Sequence, residues 1–176
     1  MHFSHNDALI VTMHSDNCRM SKILVDGGSI VNIMYGSALD IMEDTPEMAR
    51  VMINSQSQVS LIWVYGNKMH SPGTIALPVH ADPYNVITEF YAIDIESPHN
   101  AILGRPWIHM MKVVLSSYHQ LLWYPTPTGT TDIKGDQVMS KTIVVIAKSG
   151  WVPKTTKAIS DKDSPARKKQ KQVATQ

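Results

Sequence analysis

At 176 residues with 43% hydrophobic side chains, the chain can bury a core without disulfide or metal support. One cysteine, Cys18, excludes an intrachain disulfide and fits a reducing, intracellular compartment, cytoplasmic or nuclear. The net charge of +1 excludes a uniformly basic or acidic protein but hides an asymmetry: residues 148–176 hold eight Lys/Arg against two Asp, net +6, and residues 1–147 hold eight against thirteen Asp/Glu, net −5.

The first residues, Met1 to Asp7, are polar and carry no signal-peptide pattern. No apolar run approaches a membrane span, so no membrane partner is expected. Ala8 to Met13 has the β-branched content of a strand, and Asp16-Asn17 signals a turn. Cys18 to Val25 then completes a hairpin. Its last residues, Ile23-Leu24-Val25, deliver Asp26 directly into Gly27, Gly28 and Ser29, and a second apolar run, Ile30 to Met34, leaves at once. Both runs read as buried strands, and the two glycines permit a sharp turn between them. A carboxylate at the end of a buried strand is costly unless it is paired, hydrogen-bonded or used. Two readings stand at this point: a turn whose Asp caps backbone N–H groups, and a catalytic carboxylate.

Gly36 to Met42 has the one-face spacing of a short helix, ended by acidic residues and Pro46. Gln58 to Val64 and Lys68 to Leu77 predict a long hairpin with its tip at Tyr65-Gly66-Asn67 and a return arm bent at Pro72-Gly73. Asn85 to Asp94 alternates as a half-buried strand, and Ala101 to Gly104 is a short apolar one. Arg105-Pro106 opens a helix with Trp107, Met110 and Met111 facing inward. Val113 to Leu115 and Gln120 to Tyr124 form a last hairpin around Ser116-Ser117. Pattern fades after Pro125, Thr142 to Ala147 reads as one more strand, and the composition beyond Ser149 predicts disorder. Many short strands with two brief helices predict an all-β barrel.

The order of these features is more specific than any one of them. Leu24-Val-Asp-Gly-Gly-Ser29, Gly73-Thr-Ile-Ala-Leu-Pro78, Asn100-Ala-Ile-Leu-Gly-Arg-Pro106, Tyr124-Pro-Thr-Pro-Thr-Gly129 and Gly135-Asp-Gln137 follow one another in the chain. Together they resemble the retropepsin-like aspartic proteases of plant Ty3/gypsy-type retrotransposon polyproteins. The resemblance implies a retropepsin-like acid-protease barrel over residues 1–137, working as a C2 homodimer, followed by a basic, largely disordered tail over 138–176. It implies no cofactor and no metal.

By the same resemblance Asp26 is the catalytic residue, and Gly27, Gly28 and Ser29 form the active-site loop. Trp63, Val64, Tyr65, Gly66 and Asn67 are the flap, and Ile102, Leu103 and Gly104 pack under the loop. With one such Asp per chain, the second carboxylate comes from a second copy, and the substrate is an extended peptide. Gly27 departs from the wider family, which has Thr or Ser after the catalytic Asp, with a hydroxyl that braces the two loops of the dimer. A second reading is therefore a catalytically inactive dimerisation or peptide-binding module. In a third, the basic run Arg167, Lys168, Lys169 and Lys171 contacts nucleic acid, against the plainer alternative of a solvated tail. His99, His109 and His119 fall ten apart, which fits no metal-ligand spacing.

Overall fold

The computed structural model describes residues 6–15, 18–42, 59–62 and 68–149. Strands β1 (Ile10–Ser15) and β2 (Cys18–Val25) form the expected hairpin, with Ser15 opposite Cys18. Then come β3 (Ile33–Tyr35), α1 (Gly36–Met42), β4 (Val59–Ile62), β5 (Lys68–Ser71), β6 (Gly73–Ala81), β7 (Tyr84–Ile93) and β8 (Ala101–Leu103). Six of these strands close a barrel in the order β1-β2-β8-β3-β7-β6, and β4 and β5 pair with each other in a two-stranded sheet.

Period-two alternation builds the long strands. Along β6, Ile75, Leu77, Val79 and Ala81 point into the core while Ala76 and His80 face out. Strand β7 answers with Thr88, Phe90 and Ala92 inside. The short strands β3 and β8 do not alternate, because both of their faces are covered. Ala101 and Leu103 join the barrel core, whereas Ile102 packs with Ile33, Tyr35 and Ile93 in a second cluster outside it. The expected bend at Pro72 is the break between β5 and β6. There the Ser71 hydroxyl lies 2.7 Å from the Gly73 carbonyl and 2.8 Å from that of Ala92, tying the β4–β5 hairpin base to β7.

After β8 the chain forms α2 (Arg105–Met110) and a three-stranded sheet of β9 (Val114–Ser116), β10 (Leu121–Thr126) and β11 (Gly129–Lys134). Trp107, Ile108 and Met111 are buried, but Met110, expected to face inward, is 50% exposed. One short turn of helix offers room for a single inward face, and Trp107 with Met111 fills it. Strand β11 lies where the sequence pattern seemed to fade. Its residues are Thr-rich and largely exposed, so no hydrophobic alternation marks it.

Two further expectations are corrected. Ile30 is 67% exposed, and the strand leaving the Asp26 loop starts only at Ile33, because residues 27–31 are spent on the turn. Thr142–Ala147 is not a strand but part of α3 (Gln137–Lys148), whose first turn meets the boundary drawn at 137/138. The Asp136 carboxylate caps this helix by accepting from Met139 N at 2.9 Å, and Ser140 and Ile143 are buried. The β-branched run favours a strand locally, but a closed barrel leaves no edge beside β1 to receive one. Residues 150–176, including Arg167, Lys168, Lys169 and Lys171, lie outside the described residues.

Gln120 joins the sheet to the segment before β1 and to the turn before α3. Its side-chain amide donates to the carbonyls of Asp7 (3.1 Å) and Ser117 (2.7 Å), and its backbone carbonyl accepts from Gly135 N at 2.7 Å. The Tyr124 hydroxyl donates to the Asp82 carbonyl at 2.8 Å, fixing β10 to the β6–β7 turn. Burial, with Asp82, Asp132 and Tyr84 nearby, raises its pKa.

The connection into β8 carries a pH dependence. Burial holds the His99 imidazole below its ordinary range. Folding therefore excludes a proton that the unfolded chain accepts, so stability falls as pH drops below about 6.5 and continues to fall until the lowered folded-state value is passed. His99→Gln should flatten the loss of Tm between about pH 7 and pH 5. Parallel Tm–pH curves for the two proteins would assign the acid sensitivity to other groups.

Candidate active site

Asp26 sits where β2 ends beside β8. Its backbone N–H donates to Leu103 O at 3.0 Å, extending the parallel pairing of Val25 with Leu103 by one residue. The chain then turns at once: Ser29 N donates to Asp26 O at 3.2 Å, and Gly28 N donates to the Asp26 carboxylate Oδ1 at 2.8 Å. The capping and catalytic readings of Asp26 are thus compatible, since one N–H orients a carboxylate that stays partly exposed.

The two glycines do different things. A Cβ at Gly28 would lie 3.1 Å from Asp26 Oδ1, so a side chain there presses on the carboxylate. Among the described residues a Cβ at Gly27 would meet only Leu115 Cδ2 at 3.6 Å, an ordinary contact, and the backbone is not left-handed. Gly27 is therefore not required by local sterics. Ser29 donates its hydroxyl to Val31 O at 2.7 Å, and its carbonyl accepts from Arg105 N at 2.9 Å.

Beneath the loop lie Ile102, Leu103 and Gly104. Gly104 approaches so closely that a Cβ would lie 2.3 Å from Val31 O and 2.8 Å from Ser29 O. Its N–H donates to Asn32 Oδ1 at 2.9 Å. The same Asn32 amide donates to Glu89 O at 3.0 Å, and the Asn32 carbonyl accepts from Tyr91 N at 2.9 Å. One buried side chain thus ties the Asp26 loop to the start of α2 and to β7. Sequence reasoning passed over Asn32, and its only signal was a polar residue inside an apolar run. Asn100 is a second such clasp: its amide donates to Ser21 O at 2.8 Å, its N–H to Lys22 O, and its carbonyl accepts from Tyr35 N. Burial raises the pKa of the Tyr35 hydroxyl, partly offset by a hydrogen bond with the Ser97 side chain.

The structure brings Asp26, Gly27, Gly28 and Ser29 together with Ile102, Leu103 and Gly104. Trp63, Val64, Tyr65, Gly66 and Asn67 lie outside the described residues, although the β4–β5 arms that lead to them are paired from Val59–Ser71 to Ile62–Lys68. The loop carries exposed apolar surface: Ile30 is well exposed, and Leu115 borders Gly27. Among the described residues no group of three or more His, Cys, Asp or Glu is arranged to hold a metal ion.

A solved structure shares this architecture. The retroviral protease-like domain of Ddi1 from Leishmania major superposes with a TM-score of 0.53 at 16% identity, covering 75% of this chain and 96% of that one. The EIAV protease complexed with the inhibitor HBY-793 gives a TM-score of 0.48 at 13% identity, over 66% of this chain and 99% of that one. No protein-family model and no curated protein matches the sequence. The fold is a retropepsin-like β barrel.

Proposed function

We propose that the chain is an aspartic endopeptidase of the retropepsin type, active as a homodimer on extended peptide segments of a retroelement polyprotein. The observation that carries this reading is the Asp26 loop. It holds a single, partly exposed carboxylate, oriented by the Gly28 N–H and clasped from below by Gly104 and Asn32. The exposed apolar residues Ile30, in the loop, and Leu115, against Gly27, suit burial against a second copy. A two-fold axis at this surface brings two Asp26 side chains face to face. The Ty3/gypsy affiliation rests on the resemblance of the sequence motifs.

The chemistry needs only those two carboxylates and a water. Carboxylates brought that close cannot both ionise, so the pair shares one proton. The ionised member takes a proton from the water as its oxygen attacks the peptide carbonyl. The protonated member gives its proton to the carbonyl oxygen. Collapse of the tetrahedral diol breaks the C–N bond as the nitrogen receives a proton, and the pair returns to its starting state. The substrate lies extended and hydrogen-bonds to the backbone of the β4–β5 hairpin, which excludes water as it closes.

The inactive-module reading is favoured by one observation, the absence of a hydroxyl at Gly27. Gly27→Thr separates the two. The position accepts a Cβ without clash or left-handed strain. Two restored hydroxyl contacts across a dimer should tighten it by about 1–3 kcal/mol. Sedimentation should show a lower dimer dissociation constant, and the cleavage rate at low protein concentration should rise with it. A fully dimeric wild type and Gly27→Thr protein, both without cleavage, would move the assignment to the inactive module.

A further inference from the structure

The barrel closes where β1 meets β6, and this seam is a short one. Among the described residues β1 and β6 pair only through His14–His80 and Ser15–Val79. Neighbouring β6 and β7, by contrast, pair continuously from Gly73–Ala92 to Ala81–Tyr84. Beneath the seam lies a small cavity of about 10 Å³, bordered by Met13, His14, Ser15, Met20, Val79 and Phe90. It has room for one water at most. Among the described residues the buried Ser15 hydroxyl has no hydrogen-bond partner.

On the outer face of the same seam two exposed histidines stand directly opposite each other. Directly opposed residues on antiparallel strands share a face, with Cβ atoms about 4.5–5.5 Å apart. Two imidazoles so placed can converge on one ion. The row continues with Arg19 of β2 opposite His14 and Asn85 of β7 opposite His80, both exposed. Among the described residues the donor set is two imidazole nitrogens with an amide oxygen beside them and no carboxylate in the row. That set rejects Ca²⁺ and Mg²⁺, which need several oxygen ligands, and suits Zn²⁺, Cu²⁺ or Ni²⁺. The Arg19 charge opposes any cation, so retention depends on the imidazole bonds. Two protein ligands also leave positions for water, as in an exchangeable site rather than a closed structural one.

We propose that His14 and His80 form a surface site for a divalent transition-metal ion of the zinc class, and that the bound ion pins β1 to β6 across the closing seam. The sequence could not suggest it, because the two residues are 66 positions apart and meet only when the barrel closes. The proposal does not depend on proteolysis.

Zinc chloride titrated into the full chain by calorimetry, with thermal unfolding measured in parallel, tests it. The wild type should bind one ion per chain, and zinc should raise its Tm. His14→Gln and His80→Gln should each weaken binding roughly ten-fold or more, and the double variant should show neither heat nor a Tm shift. His109→Gln, an exposed control on α2, should behave as wild type. All four variants alter exposed side chains, so circular dichroism should report an unchanged fold. Absence of binding by the wild type, or undiminished binding by the double variant, would overturn the proposal.

Discussion

Asp26→Asn should lower peptide cleavage by about 10²–10⁴-fold, the range expected for loss of a positioned acid–base group. The loop should survive, because an amide Oδ1 can still accept from Gly28 N, the 2.8 Å bond that orients the side chain. Tm and the dimer dissociation constant should therefore stay close to wild type. What disappears is the proton shared by the pair. The wild type should show a bell-shaped pH–rate profile on the acidic side of neutral, both limbs belonging to the pair rather than to one residue. Its acid limb will fall partly where His99 also lowers stability, so rates should be compared only where the protein remains folded. Cleavage by Asp26→Asn at the wild-type rate would end the aspartic-protease assignment.

Gly104→Ala should be the most destabilising single methyl group added at this site. Its Cβ would fall 2.3 Å from Val31 O and 2.8 Å from Ser29 O, and both atoms are backbone. No rotamer change relieves such a contact, so the loop or β8 must shift. A loss of about 3 kcal/mol or more is expected, which for a chain of this size is a Tm drop of roughly 6–12 °C. A shift would also disturb the Gly104 N–H bond to Asn32, so activity should fall beyond what the lost folded fraction explains. Gly27→Ala is the internal control: its Cβ meets one side-chain carbon at 3.6 Å, and stability should change by no more than about 0.5 kcal/mol. Equal Tm values for Gly104→Ala and Gly27→Ala would show that the loop is not clasped from below.

The parts of the site legible in the sequence are those whose signal is local. An apolar triplet running into Asp26 and two glycines predicts a strand end and a turn without any partner, and Ala101 to Gly104 does the same for β8. Asn32 was not legible, because its meaning depends on Gly104, 72 residues away, and on Glu89. Strand β11 was hidden by its exposure: with little to bury, Thr130, Thr131 and Asp132 carry no alternation. Helix α3 was misread because β propensity describes a half-buried pleated surface, and the closed barrel offers none there. The better cue was Gly135-Asp136, a helix N-cap signal ahead of the branched run.

The central claim, that one site is built from two copies of Asp26, is tested most directly by mixing. Wild type at fixed concentration is equilibrated with a nine-fold excess of Asp26→Asn, with both high enough for dimers to dominate. If the site is shared, random pairing leaves about one-tenth of the wild-type chains in wild-type dimers, and cleavage falls to about one-tenth. Unchanged cleavage in the mixture would contradict a shared site.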